Sequence, residues 1–168
     1  MADDQRYFFL DMTKANVHGG SQKAGHIDWV ELDDWDFSMS QTADPNVKGG
    51  RPSKTSATGR FGFTIKHNGP QLFKLAAGGQ FINAPVTFEA ERAGLQSAGG
   101  QSSSGVYLQL IFNRVVVSTR ALSGDDGQKT EHIELAFENV AMTYKQVVNG
   151  MLGSALTKTY DAKSNKVT

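Results

Sequence analysis

The sequence predicts a mainly β fold, an antiparallel β-barrel or sandwich of about seven or more strands with one short flanking α-helix. Three observations carry this. Apolar residues recur at every second position over long stretches, as in strands that bury one face. Clusters of Gly, Asn, Ser, Asp and Pro separate those stretches and mark turns. A single segment has helix signals, with a proline in its first turn and glycines at its end. A chain of 168 residues suits one domain with a sizeable core, spanning residues 1–168.

Residues 6–13 read as the first strand, running toward Asn16 and a Gly19-Gly20 turn. Residues 26–41 form a second long strand region. Its first part changes phase between Trp29 and Val30, which predicts a bend. Its last part alternates cleanly, with Trp35, Phe37 and Met39 on one face and Asp34, Asp36, Ser38 and Ser40 on the other. Residues 42–59 are rich in Gly, Ser, Thr, Pro and Lys without periodicity, a loop of unusual length. Residues 60–67 alternate Phe61, Phe63 and Ile65 as a strand. Residues 68–79 hold the helix, with Leu72, Phe73, Leu75 and Ala76 as its apolar stripe. Residues 85–92 form a strand with Val86, Phe88 and Ala90 inward and Thr87, Glu89 and Glu91 in water. Residues 93–105 read as a flexible Gly/Ser/Gln segment. Near the end, residues 147–154 read as a loop, and residues 155–160 with Lys166-Val167 as a last short strand.

Between them lies the longest patterned region, residues 106–121 and 130–144, joined by a polar Asp-Gly loop. The first segment runs Val106, Leu108, Leu110, Phe112 and then shifts to Val115, Val117, Thr119. The second runs Ile133, Leu135, Phe137 and then shifts to Val140, Met142, Tyr144. Both slips, at Asn113-Arg114 and Glu138-Asn139, are equidistant from the loop centre near Asp126. Paired as a hairpin, the two segments put the slips opposite each other, where a bulge or corner bends the ribbon.

Composition excludes several functions. The 17 basic and 17 acidic side chains balance, so no global field attracts nucleic acid or an anionic membrane. No apolar run approaches membrane-spanning length, and residues 7–10 are too short and wrongly flanked for a secretory signal. The expected protein is made in the cytosol, does not insert in membranes, and if exported needs no cleavable signal. The lack of cysteine removes thiolate catalysis, disulfides and Cys-ligated metal.

No constellation of catalytic residues survives inspection, and no catalytic, cofactor or metal site is expected. The four histidines, His18, His26, His67 and His132, lack the paired spacing of metal ligands; His26 and Asp28 share a face without a local third ligand. Residues 49–55 superficially match a phosphate-binding loop, but Ser53 stands where glycine is needed and a strand follows. Asp125-Asp126-Gly127 lacks the spaced acids of a calcium loop. Glu31, Asp33, Asp34, Asp36, Glu89, Glu91 and Glu134 alternate with apolar residues, as the solvated face of strands does. The serine nucleophile motif Gly-x-Ser-x-Gly is absent. The remaining features, long strands and a neutral, small-residue surface, suit a subunit that pairs with copies of itself.

Trp35-Asp36-Phe37-Ser38-Met39-Ser40-Gln41 resembles the Trp-x-aromatic-x-x-Ser-Gln element of the Hcp proteins, the tube subunits of bacterial type VI secretion. Further pieces follow in the same order. Phe63-Thr64-Ile65-Lys66 resembles that family's Phe-Thr-Lys strand, and the segment from Pro70 to Gly79 its single helix. Val115-Val116-Val117-Ser118-Thr119, the strand from Glu131 to Phe137 running on to Tyr144, and Tyr160-Asp161 before a basic tail complete the series. Gly19-Gly20-Ser21 and His67-Asn68-Gly69 depart from the family's usual Gly-Glu-Ser and Asp-containing helix entry.

The resemblance implies a barrel flanked by one helix, shared with phage tail tube proteins. It also implies a homohexameric ring that stacks into a hollow tube inside a contractile sheath, on a baseplate, under a spike, with small effectors in the lumen. Trp35, Phe37, Met39, Phe61, Phe63, Phe88, Leu110, Phe112, Leu135 and Phe137 are the expected core. Asp34, Asp36, Ser38 and Ser40 are the candidate lumen and cargo face, and Lys48, Arg51 and Lys54 the candidate ring-stacking loop. The alternative readings are a tail tube subunit of a phage or other contractile particle and, further off, a monomeric β-sandwich binding module. The latter needs an exposed aromatic platform, whereas nearly all aromatics here have inward phase.

Overall fold

The computed structural model describes residues 5–41, 57–66, 70–96, 102–125 and 128–168. Eleven strands are present among them, arranged in two antiparallel sheets. In chain order they are β1 (Arg6–Asp11), β2 (Val30–Glu31), β3 (Asp34–Gln41) and β4 (Ala57–Lys66). The helix α1 (Pro70–Gly78) follows. Next come β5 (Val86–Gln96), β6 (Ser102–Asn113), β7 (Val116–Asp125), β8 (Gln128–Ala136), β9 (Asn139–Val148), β10 (Met151–Asp161) and β11 (Lys166–Val167). One sheet has the order β11-β10-β9-β6-β5-β1-β2 and the other β3-β4-β8-β7.

The core lies between the sheets and follows from alternation. Phe61, Phe63, Phe88, Leu110, Phe112 and Leu135 are each at most 1% exposed. Burying such a side chain stabilises by about 1.5–3 kcal/mol. Phe61 is the hub, with its ring centroid 5.1 Å from those of both Phe88 and Phe112. Along β3, Trp35 packs on Phe8 and Phe88, Phe37 on Phe112, and Met39 faces Val140 and Met142. One strand thus crosses β1 and β5, then β6, then β9, so the sheets pack at a steep angle. Trp35, Phe37 and Phe137 sit half-buried at the margin of the core. Met39 differs from the expected core. It is 40% exposed, because it faces β9 and β10 across an open groove instead of packing against them.

The corner predicted in the ribbon is present. Asn113 pairs with Asn139 in the seven-stranded sheet, and Val116 pairs with Ala136 in the four-stranded one. The two phase slips are opposite each other, and there both strands leave one sheet for the other. Arg114 takes a left-handed conformation (φ 51°), and Glu138 N donates to Asn113 O at 3.2 Å. The Arg114 guanidinium pairs with Glu138 at 2.8 Å and lies over the Phe81 ring, which closes the corner from outside.

Several boundaries differ from expectation. Residues 26–29 are turn rather than strand, because Asp28 is left-handed (φ 63°) and the chain doubles back with Asp28 N donating to Ser21 O. Residues 57–59 belong to β4, so only residues 42–56 of the long loop, with Lys48, Arg51 and Lys54, lie outside the described residues. β5 runs to Gln96 and β6 starts at Ser102, so most of the supposed flexible segment is paired strand. β7 and β8 extend to Asp125 and Gln128. Residues 147–154 are not a loop: β9 and β10 form a long hairpin turning at Asn149-Gly150, both with positive φ. On α1 only Leu72 is buried, while Phe73 is 59% exposed beside the Arg120 guanidinium.

Candidate functional site

Three surfaces stand out from the fold. The first is the outer face of the four-stranded sheet. The registers place Asp34, Asp36, Ser38 and Ser40 of β3 beside Thr64, Gly62, Arg60 and Thr58 of β4, and Arg60, Gly62, Thr64 and Lys66 of β4 beside Ala136, Glu134, His132 and Thr130 of β8. Ser118, Thr119 and Ala121 of β7 continue the face. Apart from Val116, it holds only polar or small side chains. Asp34, Asp36, Ser38 and Ser40 are all exposed, as expected from their phase.

A charge lattice knits this face together. Arg60 donates to Asp36 at 3.2 Å and also to Glu134. Glu134 lies 3.7 Å from His132 Nε2, and His132 Nδ1 is 3.3 Å from Thr64 Oγ1. Gly62 makes room for it: an added Cβ would sit 2.4 Å from Asp36 Oδ1. Arg60 offsets one of the two carboxylates it bridges, so the trio keeps one net negative charge.

The second surface is the outer face of the seven-stranded sheet, where residues 17–29 fold over β1 and β5. His26 stacks on Phe9 with centroids 4.1 Å apart and meets the edge of Trp29. Its Nε2 pairs with Glu89 at 2.7 Å, while Gln109 Nε2 donates to the other Glu89 oxygen at 2.6 Å. Lys23 Nζ lies 3.0 Å from Glu91 and 4.1 Å from the centre of the Tyr7 ring. Glu91 is 4% exposed, and the Glu89 side chain 15%. The expectation of a solvated Glu89 and Glu91 face is therefore overturned: the residues phase outward, but a second layer of chain covers them. Asp28 does not join His26. It lies 3.9 Å from His18 instead. Among the described residues no group of His, Asp and Glu is arranged to hold a metal ion.

The third surface is a groove at the open end of the sandwich, about 510 Å³ in volume. Phe37 and Met39 form one wall, and Val140, Met142, Tyr160 and Val167 the other, with Lys158 beside them. Sequence phase alone does not reveal it, since it depends on which strands outrun their cover. The β7 side of the sandwich is closed by α1, whose Leu72 enters the core.

The arrangement offers polar and apolar recognition surfaces, and none of the described residues brings a nucleophile and base together in a cleft. No described helix is long and apolar enough to cross a membrane.

The model of the family described as "Type VI secretion system effector, Hcp" matches residues 9–144. The chain is similar to the crystal structure of Hcp1 from Salmonella typhimurium, with 26% identity and a TM-score of 0.70, covering 97% of this chain and 99% of that one. It is also similar in fold to a structure of a type six secretion system protein (19% identity, TM-score 0.71, 98% and 99% covered). Hcp2 from Salmonella typhimurium is similar in fold as well (23%, 0.64, 95% and 98%). A search of curated proteins found no match.

Proposed function

This chain belongs to the Hcp family of type VI secretion proteins, and from that premise we propose that it is a structural, non-enzymatic subunit of the inner tube. It forms hexameric rings that stack into a hollow tube, is expelled from the cell, and carries small effectors in its lumen. Spike, sheath and baseplate proteins are its other partners.

The outer face of the four-stranded sheet carries this reading. A lumen must stay wet and hold no cargo tightly, and this face has exposed Asp34, Asp36, Ser38 and Ser40 with Arg60 bridging two carboxylates. Hydroxyls and paired charges exchange partners with water at little cost, whereas an apolar wall would bind unfolded or apolar cargo. The open groove supports the same reading, since contiguous apolar surface of this kind marks contacts between proteins. Lys48, Arg51 and Lys54 are proposed to take part in stacking between rings.

Electron microscopy with size-exclusion mass measurement tests this. Class averages should show hollow six-fold rings, and a chain that stays strictly monomeric at high concentration refutes it. Deleting residues 48–54 should weaken stacking and leave single rings intact.

A further inference from the structure

Acidic and basic side chains balance overall, yet they are segregated along the seven-stranded sheet. At its β2 edge, Asp28, Glu31 and Asp33 are exposed, and Ile27, next to Asp28 in the chain, is 53% exposed. His18 lies near Asp28, Lys66 shares a cleft with Glu31 and Asp33, and Lys23 is engaged by Glu91. At the opposite edge, β10, β11 and the turn between them carry exposed Lys158, Lys166 and Lys163. Asp161 is the only acidic residue from position 151 to the end of the chain. Lys158 and Val167, the latter 68% exposed, line the apolar groove.

We propose that these two edges are the complementary halves of one contact between copies of this chain. The groove of one subunit receives Ile27 of the next, with Lys158 and Lys166 facing Asp28 and Glu31. This rests on the ring reading above and assigns its surfaces. An apolar centre inside a charged rim is the usual anatomy of a protein interface. Two copies meeting by the same edge would oppose lysine to lysine or carboxylate to carboxylate, which is unfavourable. The charges therefore select a head-to-tail contact, and such a contact between opposite edges of one sheet closes into a ring when the rotation from copy to copy closes.

Charge reversal and cross-linking test it. Lys158→Glu with Lys166→Glu, and separately Asp28→Lys with Glu31→Lys, should each weaken ring assembly well over about tenfold in the concentration needed, read by native mass measurement. All four changes in one chain should restore assembly, which no folding defect would do. The chain has no cysteine, so Ile27→Cys with Val167→Cys adds the only thiols. A short thiol-reactive linker should then yield a ladder up to the ring. Rings that survive both reversals, with no cross-linked ladder, overturn the docking and leave the tube reading standing. Unmodified protein that forms no rings overturns both.

Discussion

Replacing His26 by alanine removes the piece that pins residues 17–29 to the sheet beneath. The imidazole is 4% exposed, stacked at 4.1 Å on Phe9 and hydrogen-bonded at 2.7 Å to Glu89. Losing the hydrogen bond strands one oxygen of a mostly buried carboxylate, since Gln109 serves only the other. That costs about 1–3 kcal/mol. The lost ring contact adds about 0.5–1.5 kcal/mol. His26→Ala should therefore destabilise by roughly 2–4 kcal/mol, and His26→Phe, which keeps a ring on Phe9, by about 1–3 kcal/mol. In urea, with a slope of about 2 kcal/mol/M, the alanine variant's midpoint moves down by about 1–2 M. Unfolding must be followed at one low protein concentration, because assembly adds its own stabilisation. A loss below about 0.5 kcal/mol for His26→Ala would show that the network does not hold the arm.

Gly59→Ala places a Cβ 2.2 Å from the Phe137 ring, and the overpacking should cost about 1–3 kcal/mol and lower the thermal midpoint by several degrees in a calorimetric scan. Arg120 and the fully buried Glu131 form an ion pair beneath α1, and a double-mutant cycle with Arg120→Met and Glu131→Gln should show coupling of about 2 kcal/mol or more; near-zero coupling refutes the pair. Asp161 is held below its ordinary 3.8 first by the Ser164 side-chain hydrogen bond, with backbone N–H groups of Lys163 and Ser164 and the Lys163 charge adding to it against the opposing effect of desolvation. Its depressed folded value means that its contribution to stability is present above pH 3.8 and lost as pH falls through the lower folded value. An NMR titration should find the midpoint below 3.8, and Ser164→Ala should move it upward; a wild-type midpoint at or above 3.8 contradicts this.

Alternation made most of this fold legible. The matched slips at Asn113-Arg114 and Glu138-Asn139 located the corner, because crossing between sheets must reverse which face of each strand is buried. Other features were hidden for physical reasons. Phase tells which side of a strand Glu89 and Glu91 occupy, but not that a returning arm covers that side. Met39 has the same phase as Trp35, yet burial also needs the facing strand to close in, and at Met39 a groove separates β3 from β9 and β10. The β9–β10 hairpin did carry a local signal, Asn149-Gly150, a dipeptide suited to positive φ at both turn positions. For the candidate lumen residues, phase was enough to expose Asp34, Asp36, Ser38 and Ser40, whereas the Arg60 lattice needs three strands in register. The groove and the charged edges arise only from the unequal widths of the two sheets.

Because β6 continues into β7 and β8 into β9 across the corner, the same two segments of chain pair with each other in both sheets. Neither sheet can peel away without tearing the same ribbon. Amide exchange in the two sheets should therefore report one shared opening free energy instead of two. A longitudinal push on either sheet is likewise passed to the other through covalent backbone, with no reliance on side-chain friction between layers. In the proposed tube subunit, that wiring would keep the candidate lumen face and the sheet behind it moving as one body.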